Sequence, residues 1–244
     1  MDEIQLFDSF CLQYNNQTEN INWRNKIKEY LQIKILEYIA SQSYSDKFTL
    51  VGWSALRLFY DSNRLSDDLD FNTNGITQEE FSSICKDIKY FLLSHGHKVR
   101  IIFSNSKFYH CMFVVTSTIF SEWKYIEKIS NLKLKIKVDA AEDNWDYPTE
   151  YFLPKKTINN IYIKTTYADV LLSKKIIAFL SRKHDESIAK DLYDVIFLLW
   201  ISEPNFEILY EYENISSMNQ LYERLMYRIN EKEYEIIDKI EKIN

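Results

Sequence analysis

The chain has 244 residues, of which 46% are hydrophobic, and its 36 acidic and 30 basic residues give a formal net charge of −6. This length can bury a substantial core, as one large domain or two small ones. The negative charge argues against non-specific, high-affinity binding to nucleic acid, which depends on neutralising phosphates, although a local basic face remains compatible with it. No apolar run approaches the ~18 residues of a membrane span, so we expect no membrane partner.

Cysteine and histidine spacing gives no sign of a metal site. The three cysteines, Cys11, Cys85 and Cys111, are widely separated and predict reduced thiols. The N-terminal region carries acidic residues and asparagines where a signal peptide would be basic and then apolar. We therefore expect a cytoplasmic protein whose four histidines have core or surface roles.

The first predicted elements precede a short buried strand. Residues 1–21 are expected to be irregular or a short helix, and apolar residues at helical spacing predict an amphipathic helix over 22–41. The run Phe48–Val51 predicts a buried strand, which Gly52 ends. Ser54 is then the predicted N-cap of a short helix.

Two aspartates occupy the next predicted strand. Because side chains alternate along a strand, Asp68 and Asp70 should share one face while Leu69 and Phe71 enter the core. Adjacent carboxylates repel each other unless a divalent cation lies between them. The preceding helix N-terminus suits a triphosphate, and the carboxylates suit the magnesium that accompanies it.

Each of these features has a simpler interpretation when taken alone. A D-x-D pair in a chain with 36 acidic residues is commonly a solvated turn, and a single glycine is commonly a turn residue. The order of strand, glycine, helix and acidic strand favours one nucleotide site.

The middle of the chain predicts a helix followed by three strands. Thr77 and Glu80 form a predicted capping box for a helix that extends to about Ser94. Residues 99–103 and 109–116 predict strands joined by a polar turn at 104–107.

The third strand of this region, Leu132–Ala140, alternates apolar residues with Lys133, Lys135 and Lys137 and has Asp139 near its end. If this strand lies beside the D-x-D strand, three carboxylates would form a two-metal site with ions about 3.5–4 Å apart. Alternatively, Asp139 merely ends its strand.

The last third of the chain is predicted to be helical. A short strand at 159–163 precedes helices at 167–182, 187–201, 204–211, 216–229 and 231–242. The predicted fold class is α+β, with a mixed-sheet core followed by a C-terminal helical bundle. Pro148 and Pro154 mark the junction, which predicts domains at 1–155 and 156–244.

Two charged groups stand out in the helical part. Lys174 and Lys175 interrupt an apolar segment, and Asp191 and Asp194 lie three residues apart on one helix face. Surface ion pairs would explain them if they were isolated. Near a triphosphate, Lys175 could bind phosphate and Asp191 could orient the lysine.

Two motifs resemble a known family. The stretch V-G-W-S-A-L-R-L-F-Y followed by R-x-S-x-D-L-D-F resembles the G-G-T-A-L…R-x-S-x-D-L-D-F signature of the AbiEii/AbiGii nucleotidyltransferase toxins, in the DNA polymerase β-like superfamily. The later L-L-S-K-K-I-I-A-F-L-S-R…K-D-L-Y-D-V-I-F-L-L is similar to that family's second motif. The resemblance spans roughly residues 30–200.

The resemblance implies roles for individual residues. Asp68 and Asp70 would hold Mg²⁺ or Mn²⁺, with Asp139 as third ligand or general base. Asp191 would complete the site. Nucleotide contacts would come from the glycine turn, the segment before the acids and the helical lysine, namely Gly52, Trp53, Ser54, Arg64, Ser66 and Lys175. Trp53 replaces the family's second glycine and could crowd the phosphate pocket or stack on the nucleobase.

The implied activity is transfer of a nucleoside monophosphate from an NTP to a hydroxyl of an RNA such as tRNA. The implied role is that of the toxin in a toxin–antitoxin or abortive-infection system, with a possible cognate antitoxin. Two alternatives stay open, namely transfer to a small molecule or protein, and a non-catalytic toxin that acts by binding. The oligomeric state is left open by the sequence.

Overall fold

The fold combines a seven-stranded mixed sheet with helices. A computed structural model describes residues 2–14, 23–105, 109–117, 132–142, 147–182, 188–233 and 236–237. The strands are Phe48–Val51 (β1), Asp68–Thr73 (β2), Lys98–Asn105 (β3), Tyr109–Ser117 (β4), Leu132–Glu142 (β5), Thr149–Phe152 (β6) and Ile163–Thr166 (β7). The helices are Glu3–Cys11 (α1), Trp23–Ala40 (α2), Gly52–Tyr60 (α3), Gln78–Ser94 (α4), Ala168–Ser181 (α5), Ile188–Leu199 (α6), Phe206–Glu213 (α7) and Met218–Glu231 (α8).

The sheet order is β3-β4-β5-β2-β1-β7-β6. Strand β2 runs antiparallel to β1 but parallel to β5, while β3, β4 and β5 form an antiparallel meander. Strand β7 joins β1 in parallel. This mixed sheet, with helices following it, confirms the predicted α+β class.

One face of the sheet forms the core under α2 and α4. Leu69 and Phe71 are buried there, as the alternation predicted, together with Ile136 and Val138 of β5. Because neighbours along a strand point to opposite faces, the aspartates of β2 and β5 are directed to the other face.

Helix α2 differs from its prediction as an amphipathic helix, because it is buried on nearly all sides between α1, α4 and β5. Its polar residues are buried with partners. Glu29 accepts a hydrogen bond from Arg57 Nε at 2.9 Å, and Lys34 Nζ lies 2.6 Å from Glu3 Oε2. Paired ions of this kind can enter a core, whereas single ones are too costly to desolvate.

The predicted capping box of α4 is confirmed, since Thr77 and Glu80 exchange hydrogen bonds at its N-terminus. The predicted strand at 159–163 is wrong, and β7 begins only at residue 163. The buried carboxylate of Glu37 accepts hydrogen bonds from Thr157 Oγ1 at 2.6 Å and from the amides of Ile158 and Asn159 at 2.8 and 3.0 Å, which holds this segment as a turn.

Two predicted features fall partly or largely outside the described residues, namely the turn at 104–107 and the helix at 231–242. In the described ranges no helix is long and apolar enough to cross a bilayer.

The chain divides into two compact units, Met1–Thr165 and Thr166–Asn244. The first contains the sheet and α1–α4. In the second, α5 packs against α6, α7 and α8. The sequence predicted a junction near residue 155, and the assignment of domains stays a prediction.

Candidate active site

Three predicted acidic residues share one face of the sheet. Strands β2 and β5 pair in parallel with Asp70 opposite Asp139 and Asp68 opposite Lys137. Neighbouring strands lie about 4.8 Å apart, and residues in register point to the same face. The pairing of the two acidic strands, which the sequence left open, is therefore present, while the role of each acid stays a prediction.

The outer two carboxylates have cationic or polar partners. Lys137 Nζ lies 3.3 Å from Asp68 Oδ1, an oxygen that is buried and accepts no hydrogen bond within the described structure. His110 Nδ1 lies 2.7 Å from Asp139 Oδ1, and the two residues face each other across β4 and β5. The Asp68 and Asp139 side chains are 33% and 27% exposed, so both can be reached by a ligand.

Gly52 brings the start of α3 against Asp70. It has φ +68°, and a Cβ added there would lie 2.4 Å from Asp70 Oδ2. Val51 precedes the helix as its N-cap, and an aliphatic side chain cannot accept hydrogen bonds from the first-turn amides. Backbone amides at a helix N-terminus next to carboxylates suit a phosphate that is accompanied by a cation.

Ser54 and Ser66 both hold the backbone of Asp68. Ser54 Oγ and Ser66 Oγ donate to Asp68 O at 2.5 and 2.7 Å. The prediction of Ser54 as N-cap is wrong, because α3 already begins at Gly52 and places Ser54 inside its first turn. Both hydroxyls thus position the acidic strand, and a direct nucleotide contact by either one stays a prediction.

Trp53 is a packed residue. Trp53 is only 4% exposed. Its Nε1 donates to Arg64 O at 2.5 Å, and the Arg64 guanidinium lies 3.7 Å from the centroid of the indole ring. Stacking on a nucleobase requires an open ring face, so this placement favours a structural role. Arg64 and Trp53 together fix the turn before the acids, and the nucleotide contacts expected of both residues stay predictions.

The second compact unit has its own ionic network. Lys175 Nζ lies 2.7 Å from Asp194 Oδ2 and 3.5 Å from Asp191 Oδ1, and Arg182 Nε lies 2.8 Å from Asp191 Oδ2. Both aspartates are buried, whereas the Lys175 side chain is 22% exposed. The expected contact between Asp191 and Lys175 is present, and the phosphate-binding role of Lys175 stays a prediction.

The three aspartates on this face of the sheet fit a hard divalent cation, because magnesium and manganese prefer carboxylate oxygens as ligands. Within the described part of the chain, no three potential ligands are close enough to form a ready metal cluster. The Asp68 oxygen without a hydrogen bond and the acids' common face are the observations that favour cation binding.

Sequence reasoning missed His110, because it considered histidines only by metal-site spacing. The alternation of Tyr109–Thr116 places every second residue of that strand on one face. Pairing β4 with β5 in antiparallel register would have brought His110 to Asp139. The pairing of β4 with β5 was therefore the signal that could have identified His110 as a neighbour of Asp139.

Comparisons with solved structures define the class of this fold. A putative nucleotidyltransferase from H. pylori is 18% identical, with a TM-score of 0.53 over 90% of this chain and 83% of that one. An antigenic nucleotidyltransferase-like protein from Paracoccidioides brasiliensis is 12% identical, with a TM-score of 0.51 over 83% of this chain and 90% of that one. The fold is therefore that of nucleotidyltransferases.

The sequence profile of one family, described as nucleotidyl transferase AbiEii toxin of type IV toxin–antitoxin systems, matches residues 34–231. The chain belongs to this family. Among curated proteins, no match is found. The solved structure of MenT4, a nucleotidyltransferase toxin from Mycobacterium tuberculosis H37Rv, is 14% identical, with a TM-score of 0.49 over 92% of this chain and 87% of that one.

Proposed function

We propose that this nucleotidyltransferase toxin transfers a nucleoside monophosphate from an NTP to a hydroxyl of RNA, with tRNA as the leading candidate, and that the reaction depends on Mg²⁺ or Mn²⁺. The observation that carries the proposal is the register of Asp70 and Asp139 on adjacent parallel strands, with Gly52 and the start of α3 against Asp70. NTPs and RNA also favour a cytoplasmic site of action, and the family favours a cognate antitoxin.

Asp68, Asp70 and Asp139 are the residues that would hold the cations. A cation bound there supplies charge stabilisation for the attacking and leaving oxygens of an in-line displacement. The first-turn amides of α3 would bind the triphosphate, because their N–H groups and the helix dipole favour negative charge. Hydroxyl attack on the α-phosphorus forms the new phosphodiester and releases pyrophosphate.

Asp139 is the carboxylate that would accept the proton of the attacking hydroxyl, because it is 27% exposed and lies on β5, beside the two aspartates of β2. Ser54 and Ser66 hold the Asp68 backbone in place, and His110 restrains the Asp139 carboxylate. Such support matters because small displacements of positioned groups cost large factors in rate.

The test compares two aspartates of one segment. Asp70→Asn removes a proposed ligand, whereas Asp67→Asn makes the same chemical change at an acid that is 80% exposed and paired with Lys28. Incubation with α-labelled NTPs and total RNA, followed by electrophoresis, measures transfer, and induced expression measures growth arrest. We expect Asp70→Asn to abolish both and Asp67→Asn to retain both.

Two results would contradict the proposal. Growth arrest that survives Asp70→Asn would mean that catalysis is not the toxic act, which favours a toxin that acts by binding. Label that appears in protein or in small molecules, with none in RNA, would assign a different acceptor. A calorimetric titration with NTP, with and without magnesium, shows whether nucleotide binding itself depends on the cation.

A further inference from the structure

The sheet face that carries the acids continues into a basic surface, which we call the lysine face. It consists of alternate residues of β3, β4 and β5, and the register pairs Ile102 with Met112 and Met112 with Lys137. Its members are Lys98, Arg100, Ile102, Met112, Val114, Thr116, Lys133, Lys135 and Lys137.

The charge of this surface is strongly positive. Lys133, Lys135 and Lys137 are exposed and follow one another at every second residue of β5, ahead of Asp139. A cavity of about 380 Å³ beside them is lined by Lys98, Arg100 and Lys133, with no acidic residue among its described lining.

A larger neighbouring cavity of about 510 Å³ extends the basic surface. It is lined by Arg100, Lys133 and Lys135 together with Arg24 and Lys28 from the start of α2. The acid in its described lining, Asp67, is already paired with Lys28. The local charge therefore contrasts with the chain's net charge of −6.

Apolar side chains lie between the cations. Ile102 is 39% exposed, and Met112 and Val114 are partly exposed on the same face. Lysines can bind the phosphates of a single strand, and the aliphatic side chains lie where single-strand sites commonly place aromatic rings that contact unpaired bases. A duplex keeps its bases stacked inside and would leave these apolar side chains without a partner.

The lysine face leads to the three aspartates of the proposed site, Asp68, Asp70 and Asp139. Lys133 and Asp139 are six positions apart along β5, which at about 3.3 Å per residue is roughly 20 Å of strand. Lys137 ends the basic row and lies 3.3 Å from Asp68 Oδ1. The third cavity, of about 350 Å³, is lined by Ile102, Met112 and Lys137 together with Asp139, and so connects the two regions.

We infer that the lysine face binds the backbone of a single-stranded segment of the acceptor and directs its hydroxyl to Asp139. The inference rests on the proposed nucleotidyl transfer for its direction, and it adds the surface that selects a polynucleotide acceptor. A small-molecule acceptor would make no use of a basic strand of this length.

The experiment measures binding without catalysis. A fluorescein-labelled oligouridylate is titrated with the full chain in the presence of EDTA and without NTP, and anisotropy is followed across a salt series. Lys133→Gln/Lys135→Gln is compared with Lys86→Gln/Lys89→Gln, a pair on α4, which packs on the other side of the sheet. Both double variants change the formal charge from −6 to −8.

For wild type and the α4 pair, we expect equal, salt-dependent binding. The β5 pair should bind more weakly, and its slope of log K against log salt should be shallower by about 1.4, since each single-strand phosphate contact contributes about 0.7. Binding of NTP in magnesium should be unchanged in both pairs, because neither pair includes a proposed ligand.

Equal binding by all three proteins, or no binding of the oligonucleotide by wild type at low salt, would overturn the inference. So would lysine-dependent binding of polyglutamate without binding of the oligonucleotide, which would assign the face to an acidic protein. Failure of the proposed function is seen in a separate measurement, in which the wild-type protein shows no magnesium-dependent binding of NTP. That outcome does not change what the oligonucleotide titration says about the lysine face.

Discussion

Gly52 and Asp70 are so close that a single methyl group at residue 52 would stand 2.4 Å from Asp70 Oδ2. Gly75 provides a matched comparison, because it also has positive φ, +62°, but nothing lies within 4 Å of the position that a methyl group would occupy there. Both Gly→Ala changes impose a left-handed conformation that costs about 1–2 kcal/mol. Only the change at residue 52 also displaces an acid of the site.

We therefore expect Gly52→Ala to reduce nucleotide transfer at least tenfold and to lower the melting temperature more than Gly75→Ala does. Gly75→Ala should retain transfer and lose a little stability. Labelled-nucleotide transfer and thermal unfolding of both variants test this. Equal activity of the two variants would show that the close approach at Gly52 is unimportant for catalysis.

His110 should matter through Asp139, whose carboxylate it contacts at 2.7 Å. Loss of a group that orients a ligand carboxylate commonly costs about 10–100-fold in metal affinity or activity. We expect His110→Phe to fall in that range and His110→Gln, which keeps a donor, to recover part of the loss. The readout is the magnesium concentration that gives half-maximal transfer.

If His110→Phe leaves both the magnesium requirement and the maximal rate unchanged, the contact is only structural. A change in maximal rate alone, without a change in magnesium requirement, would instead mean that His110 acts on the acceptor side. Thermal unfolding of both variants checks that folding is intact.

Alternation along each strand assigned the faces of Asp68, Asp70 and Asp139, but the sequence left open whether the two strands pair, and only the parallel register of β2 and β5 places Asp70 opposite Asp139. The sequence misplaced the N-cap of α3 at Ser54, since serine is a favoured N-cap residue, whereas the helix begins at Gly52, whose φ is +68°. The turn at Thr157–Asn159 was also hidden, because it depends on the distant carboxylate of Glu37. Tertiary partners of this kind leave no local pattern.

Trp53 allows a test of packing against ligand binding. It is 4% exposed, whereas Trp200 is 87% exposed and serves as the control. Truncating a buried tryptophan to alanine typically costs about 3–5 kcal/mol, and an exposed one much less. We expect Trp53→Ala to destabilise by about that amount and Trp200→Ala to have little effect, as measured by urea unfolding.

The base preference of the enzyme gives the second readout for Trp53. Trp53→Phe keeps most of the packing and loses only the indole donor to Arg64. Unchanged relative use of the four NTPs by Trp53→Phe is expected from a packing role. A changed preference at undiminished stability would contradict it and would favour stacking on the base.

Lys175 can be tested by separating its ion pair from its proposed phosphate contact. Lys175→Met leaves the buried Asp194 without its 2.7 Å partner, and breaking a buried ion pair costs about 3–5 kcal/mol. Adding Asp194→Asn removes the charge that was left behind. We expect the double variant to regain much of the stability but not the affinity for NTP, measured by unfolding and by calorimetry.

Recovery of NTP binding together with stability would show that Lys175 acts only within its helical unit. Asp194→Asn alone is the necessary third corner of this cycle, because the interaction energy is obtained only from all four proteins. If Lys175→Met is as stable as wild type, the ion pair itself contributes little.

Glu3 gives the fold a defined pH dependence. Burial alone would raise the pKa of its carboxyl, but hydrogen bonds from His97 and Lys34 outweigh burial and lower the pKa from 4.5 to about 2. The folded state therefore keeps Glu3 ionised where the unfolded chain is already protonated. Its contribution to stability is complete above about pH 4.5 and is lost as the pH falls toward 2.

Urea unfolding across this pH window tests the role of Glu3. The free energy of unfolding of Glu3→Gln should decline less steeply with falling pH than that of wild type, whereas Glu79→Gln, an exposed change in α4, should follow wild type. Parallel curves for Glu3→Gln and wild type would refute the assignment.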